Sequence, residues 1–223
     1  MSQPSLTMPR GFLRFAGGAL AAAGVLTLLI NAGLSPFLSS DASFAETAMS
    51  PVFFWRQSLS ALTALLLVFG SIGLYLAQAE SLGQFGAVSF VSACVGSMLI
   101  LATEWTQVFL VPELATAAPE ALNALGDTEG VGRYTLGTLI ALAVFTLGWI
   151  AFAAASLRAH VFSRPGPILV IAGFFAIPIL GGLLPGVWGF AAGNAVLGAG
   201  WVSLGQEIAR GTRNGDGEHR LGV

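Results

Sequence analysis

The sequence has no lysine, one cysteine and two histidines, and only 9% of its 223 residues are charged, against roughly 25% in soluble globular chains. Each shortage excludes something. Without lysine there is no retinal-type Schiff base. A lone Cys94 with His160 and His219 cannot build a disulfide framework, a cysteine zinc cluster or a bis-histidine haem within the chain. Nine arginines against eleven acids leave a net charge of -2, so there is no broad basic surface to hold nucleic acid. G-x-S-x-G, Walker and H-E-x-x-H motifs are absent. No cofactor or metal is expected.

What is abundant is apolar: 55% of residues are hydrophobic and the mean hydropathy is +0.82. A membrane span needs about 20 mostly apolar residues, since the hydrocarbon layer is about 30 Å thick and a helix rises about 1.5 Å per residue. Runs at about 12–34, 57–77, 85–111 and 134–157 qualify. The run 168–204 is too long for one helix, at about 55 Å, and Leu184-Pro185-Gly186 breaks it with turn residues. It reads as a hairpin of spans at about 166–184 and 187–206. The expected fold class is therefore an all-α integral membrane protein. A six-transmembrane-helix bundle fills residues 1–210, and a polar, glycine-rich tail over 211–223 has no fixed structure.

Arginine placement orients it. Arg10, Arg14, Arg158, Arg164, Arg210, Arg213 and Arg220 fall on one side of a six-span chain, and Arg56 and Arg133 on the other. By the positive-inside rule both termini are cytoplasmic. Asp41, Glu46, Glu113, Glu120, Asp127 and Glu129 lie on the opposite side. The first run could alternatively be a secretory signal, with Ser43-Phe44-Ala45 as a cleavage-like triplet. The run is longer than the usual 7–15 residues, however, and the triplet lies far beyond it. Trp55, Trp188 and Tyr134 are expected at the outer interface, Trp201 and Tyr75 at the inner one. The composition suggests a GC-rich genome, and a bacterial-type inner membrane is the expected location.

Two outer loops exceed what connection requires. Ser43-x-x-Glu46 fits a capping box, and Pro119 to Gly126 carries proline and glycine at the proper ends of a short helix. Gly189-x-x-x-Gly193, and Gly17-Gly18 followed by Ala21-Ala22, give small-residue faces suited to close helix approach. Pro178 predicts a kink in the fifth span.

Glu104 is the one charged residue well inside a predicted span, on the order of 7 Å outward from its middle. A carboxylate at such depth must be paired, hydrated or protonated. Helical spacing puts Ala93, Ser97, Ile100, Glu104 and Gln107 on one inward face. Asn31, Arg56, Gln57, Arg133, Tyr134 and Asn194 lie at comparable depth and can converge on it as one binding pocket. Arg56 is the preferred partner, because the second and third spans are joined by a short loop and arginine grips carboxylates bidentately. Two plainer alternatives stay open: Glu104 is interfacial with Trp105 as its belt residue, or a Glu104–Arg56 pair only staples helices. The expected function is non-enzymatic: an accessory or scaffold subunit that binds a membrane-protein partner or a second copy through its outer loops or small-residue faces. The second expectation is a small proton- or cation-coupled transporter or channel with Glu104 as its site.

Overall fold

A computed structural model describes residues 10–38, 41–126 and 132–218. Asp127, Glu129, His219 and Arg220 lie outside the described residues. Every regular element among the described residues is helical: α1 Arg10–Leu28, α2 Phe44–Ala48, α3 Pro51–Leu76, α4 Ala79–Phe109, α5 Val111–Ala117, α6 Pro119–Gly126, α7 Arg133–Ala159, α8 Pro165–Leu183 and α9 Trp188–Glu218. Backbone groups in lipid must bond within their own segment, so long helices are what such apolar runs form. Among the described residues, five segments are long and apolar enough to cross a membrane: those built on α1, α3, α4, α7 and α8. The protein is an α-helical membrane bundle.

α9 does not reach that apolarity, although it is the most intimately packed helix of the set, lying along both α1 and α8. The glycines that dilute its hydropathy are the ones that let it fit. Gly17 on α1 meets Gly205, and Gly24 meets Gly198. On the other side Gly193 meets the backbone of Ile177, and Gly173 meets that of Leu197. Residue numbers fall on one partner as they rise on the other, so both pairings are antiparallel. The same holds for α1 with α3 (Leu20 at Gly70, Ala16 at Gly73) and for α4 with α7 (Gly96 at Phe145, Ser92 at Gly148). The long helices thus run up and down in a ring of order α7, α4, α3, α1, α9, α8. α7 and α8 close it with the sparsest packing of any sequence-adjacent long pair.

Local signals set the helix ends. Ser50 caps α3, its hydroxyl accepting from Phe53 N–H at 3.1 Å, with Pro51 as the first helical residue. α3 therefore begins six residues before the expected 57, and Arg56 sits inside the helix rather than at its opening. Leu184-Pro185-Gly186 makes the expected turn, with Gly186 at φ +59° where a side chain would be strained. α1 continues as a π-helical stretch Leu29–Leu34 and a short 3-10 turn Ser35–Phe37. α9 is helical to Glu218, past the boundary at 211 expected for an unstructured tail.

One end of the ring carries a cap of α2, α5 and α6. Both Ser43–Glu46 capping-box bonds are present, and α6 spans Pro119–Gly126 as its punctuation predicts. Ala45, Ala48, Phe53, Val111, Ala115 and Leu122 form a small satellite core there, and Ala45 N–H donates to Asn123 Oδ1 at 2.8 Å. At the other end polar stitches join the turns. Gln78 Nε2 donates to Ser156 Oγ at 2.8 Å, Ser163 N–H to Glu207 at 2.8 Å, and Arg158 lies 5.0 Å over the Phe85 ring. The main core fills this half, around Trp149, Phe152, Leu20, Leu67, Leu74 and Leu204.

Candidate functional site

The cap-end half of the ring is not filled. It holds a cavity of about 600 Å³ lined by all six long helices, within the size range of small-molecule sites. Its floor is aromatic: Phe145 (α7), Phe174 (α8) and Trp201 (α9) meet pairwise with centroids 5.7 to 6.3 Å apart. Below the floor Trp149 packs edge-on to Trp201 at 5.5 Å, and its Nε1 donates to Ser97 Oγ at 3.1 Å. Trp201 is 2% exposed. It is part of the cavity floor rather than the inner-interface residue expected from the sequence, because the Gly198 and Gly205 approaches draw α9 inward there. Tyr75 lies at the end of α3 away from the cap, half-buried and stacked on Phe90 at 4.5 Å.

The polar groups gather toward the cap. Asn31, Arg56, Glu104 and Asn194 all line the cavity. The π-helical stretch carries Asn31 to the wall; its Nδ2 donates to Thr27 O at 2.8 Å. Asn194 Nδ2 donates to Phe190 O at 2.8 Å. Pro178, one more lining residue, has no N–H to return to the Phe174 carbonyl.

Arg56 does not clasp Glu104. Its Nε donates to Ser35 Oγ at 3.1 Å and its Nη1 to Gln57 Oε1, while Gln57 Nε2 donates to Gln107 Oε1. Ser35 Oγ in turn donates to Ile30 O at 3.1 Å, so one chain of bonds ties α1, α3 and α4 together. The expected bidentate pair is replaced because two neutral acceptors, one from the end of α1 and one on α3 itself, hold the guanidinium. Glu104 and Arg56 still act on one another through space. Glu104 makes no hydrogen bond among the described residues, and its Oε2 is buried without a partner. A buried acceptor in that state is uncommon and calls for a donor or a proton.

Gln107 contributes through the Gln57 bond rather than by lining the cavity. Tyr134 is half-buried within electrostatic reach of Glu104 but is not in the wall, and Arg133 is exposed at the start of α7. The inward face of α4 is as its spacing predicts: Ala93 and Ser97 are fully buried, and Ile100 and Glu104 line the cavity. Sequence reasoning did not anticipate Ser35, Ser60, Thr63 and Trp201. Arg56, Ser60, Thr63 and Leu67 do form a stripe at i, i+4, i+7 and i+11, a signal that could have found them. Among the described residues no three His, Cys, Asp or Glu side chains cluster as metal ligands.

Comparison with known protein families, with curated proteins and with solved structures finds no match to this chain.

Proposed function

We propose that the protein is a small carrier-type membrane protein in which Glu104 receives a proton or a cationic ligand from the cavity. The observation that carries this reading is the conjunction of a cavity of about 600 Å³ with an unpartnered Glu104 oxygen, while the hydrogen bonds of nearby Arg56 go to Ser35 and Gln57. A Glu104–Arg56 staple would place the carboxyl in a hydrogen bond with the guanidinium, and Glu104 makes none among the described residues. The topology that goes with the reading is six-pass, α9 included, in a bacterial-type inner membrane with both termini cytoplasmic. It is supported by the antiparallel fit of α9 against α1 and α8, and by Arg10, Arg14, Arg158, Arg164 and Arg210 at the end opposite the cap. The cap and the cavity then face outward.

The accessory-subunit reading relied partly on small-residue faces for a membrane partner. Gly17, Gly24, Gly189 and Gly193 are taken up inside the chain by α8 and α9 contacts, which leaves Gly18 and Ala22 as the exposed part of those faces. The reading here is non-enzymatic. The test is an imposed pH gradient across proteoliposomes with an entrapped pH dye. Wild-type protein should dissipate the gradient, and Glu104→Gln, folded with an unchanged melting temperature, should not. Equal dissipation by both proteins overturns the proposal. If neither protein moves protons and the chain copurifies with another membrane protein, the accessory role replaces it.

A further inference from the structure

The ring is weakest where the cavity is closest to its outer surface. α7 and α8 follow one another in sequence yet pack together far less than α7 does with α4 or α8 with α9. Their seam is closed at one level by Phe145 against Phe174, rings 5.7 Å apart. One turn toward the cap from these residues lie Leu142 on α7 and Pro178 on α8, both cavity-lining and both exposed, Leu142 by 50%. Phe190 of α9, also lining, is 50% exposed beside them. On the α3 wall Thr63, Ala64 and Leu67 are buried. The exposed part of the lining thus lies along the α7–α8 seam and at Phe190. Its flanks are the exposed apolar side chains Leu139, Ile140, Phe175 and Ile179, which in a bilayer face hydrocarbon.

We infer that the ligand is a zwitterionic phospholipid with a primary-ammonium headgroup, entering sideways from the bilayer between α7 and α8, its head at Glu104 and Arg56 and its tails left in the portal. This inference rests on the Glu104 reading above and names the cation. Three observations select the chemistry. A lateral, apolar-rimmed mouth admits a molecule already dissolved in the membrane and disfavours a water-borne solute. The wall carries one carboxyl and one guanidinium that do not touch each other. A headgroup with one positive and one negative group adds no net charge to a poorly solvated site, whereas a simple cation or anion does. Finally, Glu104 Oε2 lacks a donor. A primary ammonium supplies N–H donors, and a quaternary one has none.

The experiment reconstitutes the full chain in phosphatidylcholine vesicles containing trace phosphatidylethanolamine with a photoreactive acyl chain, and maps adducts by mass spectrometry. Adducts should concentrate on the α7 and α8 segments around Leu142 and Pro178. Excess unlabelled phosphatidylethanolamine should compete them at least tenfold better than phosphatidylglycerol. Glu104→Gln, checked for a melting temperature that is not lowered, should lower them about tenfold, and Arg56→Gln, assayed well below its own lower melting temperature, should do the same. Adducts spread evenly over every lipid-facing helix overturn the inference, as does equal competition by phosphatidylglycerol. Competition by soluble O-phosphoethanolamine as effective as the lipid overturns lateral entry, because the source is then aqueous. Even labelling together with Glu104-dependent proton flux sinks this inference alone. Indifference of both readouts to Glu104→Gln sinks the carrier reading as well.

Discussion

Gly17 and Gly205 are in backbone contact: a Cβ on Gly17 would lie 2.7 Å from the Gly205 carbonyl oxygen and 2.9 Å from Ala209 N. One residue further along the helix the situation reverses, since nothing lies within 4 Å of a Cβ on Gly18. In lipid the tails are as apolar as leucine, so helices associate through such close contact rather than through hydrophobic expulsion. Gly17→Leu should separate α1 from α9 and cost about 1–3 kcal/mol, an overpacking penalty. Gly18→Leu should be close to neutral. Thermal unfolding of both variants in the same detergent measures the difference, and equal melting temperatures would contradict the packing described.

Trp149 and Ser97 couple α7 to α4 beneath the cavity floor, through a 3.1 Å bond between two fully or almost fully buried side chains. Ser97→Ala leaves the indole N–H without its acceptor and should cost about 1–3 kcal/mol. Trp149→Phe removes the donor along with its acceptor's need for it, but leaves a void against Trp201 and should also destabilise. The double variant should lose less than the sum of the two singles, as contacting residues do. Strict additivity in detergent unfolding would show that the bond contributes nothing.

Glu104 and Arg56 should also couple, in a different way. Arg56→Gln removes the donors to Ser35 and Gln57 and leaves the carboxyl without a compensating charge, so it should destabilise by about 1–3 kcal/mol. Glu104→Gln breaks no existing hydrogen bond and removes a group whose intramembrane cost is about 2.5–3.5 kcal/mol on insertion scales. Its melting temperature should hold or rise. With Gln at 104, the Arg56→Gln penalty should shrink. A cycle with no coupling would mean that the two charges do not sense one another.

The cap gives a pH-dependent prediction outside the membrane helices. Ser43 N–H and hydroxyl donate to the Glu46 carboxylate at 2.8 and 2.9 Å and hold its pKa below the ordinary value. A depressed folded pKa means that this contribution is present above the ordinary carboxylate pKa and is lost as pH falls through the folded value. Amide exchange in α2 should therefore speed up on acidification beyond the intrinsic pH effect. Ser43→Ala should show fast exchange already at neutral pH. An α2 whose protection ignores both changes would dismiss the capping box as a stabilising feature.

The legible and illegible parts of the site divide along a physical line. Glu104 was conspicuous because hydropathy makes a lone carboxyl in an apolar run costly wherever the run ends up. Asn31 and Asn194 were legible by depth alone. Ser35 was not, since a serine just past a span looks like a loop residue until the π-helical stretch carries it to Arg56. Trp201 was misjudged because tryptophan near a helix end usually marks an interface, and here the helix runs on to Glu218. α3 was read short because Ser50 and Pro51 are polar or neutral residues that act through capping, which an apolar count ignores.

The sequence by itself determined that the chain forms apolar helices, where most of them turn, which short helices are capped, and that Glu104 requires neutralisation. Those are properties of single segments, decided by local transfer energies and backbone bonding. Only the tertiary structure decided that Arg56 bonds Ser35 and Gln57 instead of Glu104, that α9 is inserted between α1 and α8, and that α7 and α8 stand apart. Each of these depends on which side chains meet across distant stretches of chain. A cavity is the extreme case, because it exists where six helices fail to fill the space between them, and no single segment encodes that.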